Sequence, residues 1–260
     1  MKNRTKELLN AGKVAIGPQL RFGSPAIAEM FVKADCCDFI IIDGEHAPQT
    51  PTGVHMQLQA MGCSDVTPIA RLPSADPDGI RVYLDMGAQA VFAPFINTVE
   101  QARLGAEAMR YPPQGTRGYG PDRTSDYGLR AIDLAEENDR MLFVANIEHE
   151  DAIRNIDEIL AVEGVDTFLV GPCDLSISLG VPLDFEHPKF RDALTTVVKA
   201  AENAGKPAGI GMPGDPADPD GPKRFVDMGF RMILAGGEEF LLARGLSMFQ
   251  KSFEAAKQGS

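Results

Sequence analysis

Four short apolar runs in this chain end abruptly on side chains that can do chemistry. They are Phe39-Ile-Ile-Ile-Asp43-Gly44-Glu45-His46, Pro68-Ile-Ala-Arg71, Leu142-Phe-Val-Ala-Asn146-Ile-Glu148 and Thr167-Phe-Leu-Val-Gly171-Pro172-Cys173-Asp174. Continuous apolar runs bounded by turn residues read as buried parallel strands, and parallel α/β folds place reactive groups at the carboxyl ends of such strands. Glu148 and Asp174 close successive runs, so their carboxylates are expected side by side at one rim. Two like charges at close range need a proton or a cation between them. Oxygen donors with open water positions suit Mg²⁺ or Mn²⁺, whereas structural zinc favours Cys and His. Capping of the following helices is the other reading of the pair, and Asp174, before Leu-Ser-Ile, could do that alone. Arg71 brings a guanidinium able to fork onto a carboxylate or enolate oxygen, or to form a structural ion pair. His46 follows Asp43 by three residues in a turn containing Gly44. A carboxylate near an imidazole fixes its tautomer and tunes it towards general-base duty; a merely solvated histidine is the alternative. His55, His149 and His187 fall in helix or loop positions without such a setting.

These endings need a scaffold, and the rest of the sequence supplies one. Strand-like runs at 13–19, 39–42, 67–71, 90–95, 141–147, 166–170, 207–210 and 231–234 alternate with helix-like segments at 24–34, 51–61, 76–86, 98–110, 151–160, 188–204, 218–228 and 238–257. Ser24 before Pro25 reads as a helix cap, and Thr98 reads as another with Glu100 as its capping-box partner. Eight strand–helix units in 260 residues, about 32 residues each, predict a single (β/α)8 barrel domain over residues 1–260 rather than an open doubly wound sheet. No G-x-G-x-x-G follows the first strand, which weakens a dinucleotide site. The longest irregular stretch, 111–130, is rich in Gly, Pro, Asp and Arg. Its length and its place after the fourth unit suit a lid or a subunit contact.

Composition excludes several classes. A net charge of −12 argues against non-specific nucleic-acid binding and against an anionic membrane surface. No apolar run approaches the roughly 18 residues of a membrane span, and the first thirty residues hold no signal-peptide core. Cys36, Cys37, Cys63 and Cys173 form no C-x-x-C pair, so a reduced, cytoplasmic protein is expected.

The segment Phe39-Ile-Ile-Ile-Asp-Gly-Glu-His-Ala-Pro48 resembles the hallmark of the class II pyruvate aldolases, the HpcH/HpaI family of 2,4-dihydroxyhept-2-ene-1,7-dioate and 2-keto-3-deoxyglucarate aldolases. Arg71-x-Pro73, Arg110-Tyr-Pro-Pro-x-Gly-x-Arg117-Gly118, Ile147-Glu148 and Gly171-Pro-x-Asp174-Leu-Ser176 match in the family's order. The resemblance implies a pyruvate-type (β/α)8 barrel that reversibly cleaves a 4-hydroxy-2-oxoacid to pyruvate, or a related 2-oxoacid, and an aldehyde. It implies a divalent cation (Mg²⁺, Mn²⁺ or Co²⁺) on Glu148 and Asp174, with no organic cofactor. Arg71 would hold the oxygen of bound pyruvate, and His46, oriented by Asp43, would act as acid/base through a water. The substrate carboxylate would meet the backbone around Gly171, Pro172, Cys173 and Asp174. A homo-oligomer, commonly a hexamer, is implied, with the last helix exchanged between subunits; 238–257, carrying Phe240, Leu241, Leu246, Phe249 and Phe253, fits that helix. Two departures stand out: Asn146 where the family often has the longer Gln, and Cys173 where Ala or Asn is common.

No Lys ends any expected strand, and Lys206 precedes its own. A Schiff-base aldolase would need one there, so the sequence favours Lewis-acid chemistry. Two rivals are a barrel lyase acting on a malyl- or citramalyl-type coenzyme A thioester, and a non-catalytic barrel subunit. The thioester lyase needs a basic groove for nucleotide phosphates, for which only the scattered Arg110, Arg117, Arg123 and Arg130 are available.

Overall fold

The structure is a computed structural model that describes residues 2–215 and 218–258. Its eight strands are β1 (Ala15–Leu20), β2 (Phe39–Asp43), β3 (Thr67–Arg71), β4 (Ala90–Ala93), β5 (Leu142–Ile147), β6 (Thr167–Val170), β7 (Ala208–Gly211) and β8 (Phe230–Gly237). Each pairs in parallel with its sequence neighbour, and β1 pairs with β8, so the sheet closes into a barrel. Strand side chains alternate between two faces. Phe39, Ile41, Ile69, Ala90, Phe92, Leu142, Val144, Leu169 and Met232 fill the barrel interior. The intervening Ile40, Ile42, Ala70, Val91, Phe143, Ala145, Phe168, Val170 and Ile233 pack outward against the helices. Burial on both faces is why these runs are apolar throughout instead of alternating.

The helices, in chain order, are α1 (Arg4–Asn10), α2 (Pro25–Ala34), α3 (Pro51–Met61), α4 (Pro77–Asp85), α5 (Val99–Ala108), α6 (Leu134–Arg140), α7 (Glu150–Arg154), α8 (Ile156–Ala161), α9 (Pro172–Ser178), α10 (Pro188–Ala204), α11 (Gly221–Asp227) and α12 (Glu238–Gln258). Ser24 caps α2 as its spacing predicts, accepting the Ile27 N–H with Pro25 in the first turn. The capping box at Thr98 closes with Gln101. Glu100 stands one residue too early for that geometry and pairs with Arg103 instead. Helices α1, α6 and α9 are additions to the eight expected units. α1 lies across the amino-terminal end of the barrel, where the Asn3 amide donates to the carbonyls of Gln89 and Arg140 at 3.0 Å each and Leu9 enters the interior core.

The 111–130 stretch is not a lid in its own subunit. It follows a helix, so it opens on the amino-terminal face of the barrel, opposite the chemistry. The buried Arg117 pairs with Asp85 at the end of α4, 2.8 Å away, and lies over the Tyr111 ring. Arg123 donates to the Met86 carbonyl at 3.1 Å.

Candidate active site

Strand alternation decides which polar residues reach the mouth. On β5, Leu142 and Val144 point inward, so Asn146 and then Glu148 continue the same inward row. By the same step Ile69 leads to Arg71, and Phe39 and Ile41 lead to Asp43. All four groups are buried: Asp43 is 0%, Asn146 and Glu148 1%, and Arg71 8% exposed.

Glu148 is almost wholly buried. Its Oε1 accepts the N–H of Phe95 at 2.8 Å, a residue held just past β4 with the left-handed φ of 49°. A non-glycine residue in that region is strained, and here the strain accompanies an amide aimed at a carboxylate. Burial pushes the Glu148 carboxyl up to about 7; the charges of Glu45 and Asp174 add to the rise, while the Phe95 N–H and Arg71 oppose it. Asp174 sits in the first turn of α9, past the end of β6. It makes no hydrogen bond or ion pair with the described residues, and no side chain caps α9. Its charge is felt at both Glu148 and Glu45. Between the two acids runs Gly171, where a Cβ would lie 2.8 Å from Glu148 Oε2 and 3.2 Å from Asn146 Oδ1. Both polar atoms of the Asn146 amide are buried without a partner, a condition that costs free energy unless something else is meant to fill it.

Arg71 stands among three carboxylates. Its Nη2 is 2.6 Å from Glu45 Oε2 and 3.9 Å from Glu148 Oε2, and its Nη1 is 3.9 Å from Asp43 Oδ2. The guanidinium also covers the Phe92 ring. His46 is half exposed, with Nε2 3.6 Å from Glu45 Oε1. The expected contact of Asp43 with the imidazole is not formed. Asp43 Oδ1 instead accepts the backbone N–H groups of Glu45 and His46 at 2.9 and 3.1 Å, and Oδ2 accepts from Gln19 at 2.5 Å. Asp43 therefore shapes the turn that carries His46, and Glu45 is the carboxylate nearest the ring. Burial raises the Glu45 carboxyl, against the pull of Arg71 and His46.

Sequence reasoning missed Glu45, Gln19, Arg21 and the Phe95 amide. Gln19 was within reach of the alternation rule, two residues after the inward Gly17. Glu45 and Phe95 lie in turns beyond their strands, where no period applies. A cleft of about 670 Å³ is lined by Gln19, Arg21, Cys173, Gly211 and Leu234 among others, none of them lysine and none of them Glu45, Glu148 or Asp174. Lys206 is at the far end of the barrel, bonded to the Val162 carbonyl. The arginines considered for a phosphate groove are engaged away from the mouth: Arg110 on Asp166, Arg117 on Asp85 and Arg130 on Glu137.

Among the described residues no three His, Cys, Asp or Glu side chains gather as a complete metal cage. Two carboxylates, one of them without a protein partner, beside an unpaired carboxamide nevertheless fit a hard cation that takes its remaining ligands from water and substrate.

Fold and site together define a (β/α)8 barrel enzyme with an acid-lined mouth. The chain belongs to the HpcH/HpaI aldolase/citrate lyase family, whose model matches residues 22–243. It is 36% identical over 255 residues to the 4-hydroxy-2-oxo-heptane-1,7-dioate aldolase of Klebsiella pneumoniae, covering 97% of this chain and 94% of that one. Identity to the 2-keto-3-deoxy-L-rhamnonate aldolase of Shigella sonnei is 34% over 261 residues, covering 100% and 96%. The solved HpcH/HpaI aldolase of Desulfitobacterium hafniense superposes with a TM-score of 0.86 at 30% identity, covering 97% and 96%. The chain is accordingly a carbon–carbon lyase of the class II aldolase type.

Proposed function

We propose that the enzyme reversibly cleaves a 4-hydroxy-2-oxoacid to pyruvate, or a closely related 2-oxoacid, and an aldehyde. In this reading Glu148 and Asp174 hold a divalent cation, Mg²⁺, Mn²⁺ or Co²⁺. The observation that carries it is the buried Glu148, which feels the charge of the partnerless Asp174 and lies beside the unsatisfied Asn146 amide. When bound, the cation supplies Lewis-acid stabilisation of negative charge on the 2-oxoacid oxygens. Arg71, braced by Glu45, donates to the oxygen at C2, where charge builds as the C3–C4 bond breaks. Asn146 offers its amide to the substrate, and the open amides of Cys173 and Asp174 at the start of α9 receive its carboxylate. His46 takes the proton of the 4-hydroxyl through a water, so the C4–O bond becomes the aldehyde carbonyl; a proton delivered to C3 then completes pyruvate.

The test is cleavage of 4-hydroxy-2-oxoacids by chelator-stripped enzyme before and after Mg²⁺, Mn²⁺ or Co²⁺ is returned. A panel of aldehydes, condensed with pyruvate or hydroxypyruvate, identifies the partner. Loss and recovery of activity support the proposal, as does inactivity of Glu148→Gln and Asp174→Asn. Full turnover by stripped enzyme or by both variants refutes it.

The proposal extends to assembly as a homo-oligomer, a hexamer, with α12 exchanged between subunits. Residues 240–257 of α12 are all exposed, Phe240, Leu241, Leu246, Phe249 and Phe253 included. An apolar surface of that size calls for a cover, which a second copy of the chain provides. No described helix is long and apolar enough to cross a membrane, and the free cysteines support a place in the reducing cytoplasm.

A further inference from the structure

Arg21, just past β1, has no part in the chemistry above, yet its side chain joins three pieces of the mouth. Nη2 donates to the His46 carbonyl at 2.8 Å, Nε lies 3.5 Å from Asp43 Oδ2, and Nη1 lies 3.3 Å from Glu239 Oε1. Its backbone N–H and that of Phe22 donate to Glu238 Oε1 at 2.6 and 2.7 Å. Glu238 and Glu239 open α12, and past them every residue through Lys257 is exposed. The helix is thus seated on its own barrel by its first turn, and Arg21 grips that turn. Gly237 makes the seat possible, because a Cβ there would collide with the Glu239 carboxylate and lie 2.9 Å from the Gln19 carbonyl. The other arm of the same guanidinium holds the 43–46 turn, whose shape already depends on Asp43 accepting two of its amides.

We infer that Arg21 is a positioning residue that ties the seating of α12 to the geometry of the His46 turn. The inference rests on the aldolase reading only in giving His46 its acid/base role; the mechanical link stands on the contacts. A planar fork with fixed donors can hold a carbonyl and two carboxylates in one arrangement, which the point charge of lysine cannot. Docking of α12 therefore sets the acid/base residue, and a helix that leaves its seat slackens the turn.

The experiment uses the full-length chain as wild type, Arg21→Gln, Arg21→Lys, Glu239→Gln and the Arg21→Gln/Glu239→Gln double variant. Deuterium exchange into the pyruvate methyl group, followed by NMR with added Mn²⁺, gives kcat and KM. Peptide amide exchange over residues 43–50, measured without metal or substrate, reports the turn. Arg21→Gln should lower kcat roughly 10- to 100-fold, the cost of misplacing a reacting group by about 1 Å, with KM for pyruvate within about threefold. The amides of Glu45 and His46 should exchange faster. Glu239→Gln should cause a smaller loss, and the double variant should be no worse than Arg21→Gln, as for two groups in one chain of contacts. If Arg21→Gln does not fold, Arg21→Lys should still show the lowered kcat. Unchanged kcat and amide exchange in the arginine variants, or losses that multiply in the double variant, overturn the inference. A wild-type enzyme that exchanges no pyruvate protons defeats the aldolase reading instead, and the amide exchange then decides the Arg21 link by itself.

Discussion

Replacing Gly171 with alanine strikes the proposed cation site through a single added methyl group. The backbone at Gly171 is ordinary, with φ of −85°, so alanine costs nothing in conformation. Space is the difficulty. The new Cβ would lie 2.8 Å from Glu148 Oε2 and 2.9 Å from Glu148 Cβ, while ordinary contact begins at 3.4 Å. The shortfall, 3.4 less 2.8, leaves the carboxylate about 0.6 Å to retreat. Metal–ligand distances tolerate only about 0.2 Å, and disturbing the groups that orient a ligand typically costs 10- to 100-fold in metal affinity. Gly171→Ala should therefore weaken Mn²⁺ binding by about 10- to 100-fold, or about 1.4–2.7 kcal/mol. Calorimetric titration of Mn²⁺ into chelator-stripped protein measures this, with circular dichroism and thermal melting run alongside to show an intact fold. Affinity within twofold of wild type in a folded variant would refute the placement of the cation against Glu148.

Arg71→Lys keeps the charge but loses the fork; kcat for cleavage should fall by about 10²–10³, the usual effect of removing a donor from developing negative charge, and steady-state kinetics with the cation saturating checks it. On the opposite face, burial and a hydrogen bond to Asp122 raise the Asp85 carboxyl to about 6, against the pull of Arg117. The folded protein then binds more protons than the unfolded chain between about pH 4 and 6, so stability falls as pH rises through that window. Asp85→Asn should flatten the slope by on the order of 1–2 kcal/mol, read from urea midpoints at pH 4.5 and 6.5; parallel slopes in the two proteins would contradict it. Leu246→Asp with Phe249→Asp places charge on the exposed face of α12 and should shift sedimentation velocity profiles to a smaller species if that face is an interface between subunits.

Much of the site could be read from the strand endings because the alternation rule continues one or two residues past each strand. The endings of the apolar runs placed Arg71 and Glu148 at one rim, Asn146 entered through the family resemblance, and eight evenly spaced units implied closure. What those endings could not show lay in the turns. Glu45 and the Phe95 amide owe their positions to backbone bends, whereas Asp174, expected at the rim, reaches it through the first turn of a helix that is only seven residues long. The partner of His46 was misassigned for the same reason: three-residue spacing in a turn brings the Asp43 carboxylate to the His46 amide, not to its ring. Of the two roles expected for the 111–130 stretch, a lid and a subunit contact, the fold removes the lid. A segment that follows a helix emerges at the amino-terminal face, and arginine and tyrosine contacts pin this one against α4.

The account turns on one ion gripped by two acids. A crystal grown with Mn²⁺ and pyruvate, with an anomalous difference map collected above the manganese edge, addresses it most directly. The account predicts one strong peak within about 2.2 Å of carboxylate oxygens from both Glu148 and Asp174, with pyruvate between that peak and Arg71. A peak bound by other residues, or pyruvate seated with both carboxylates free, would contradict it.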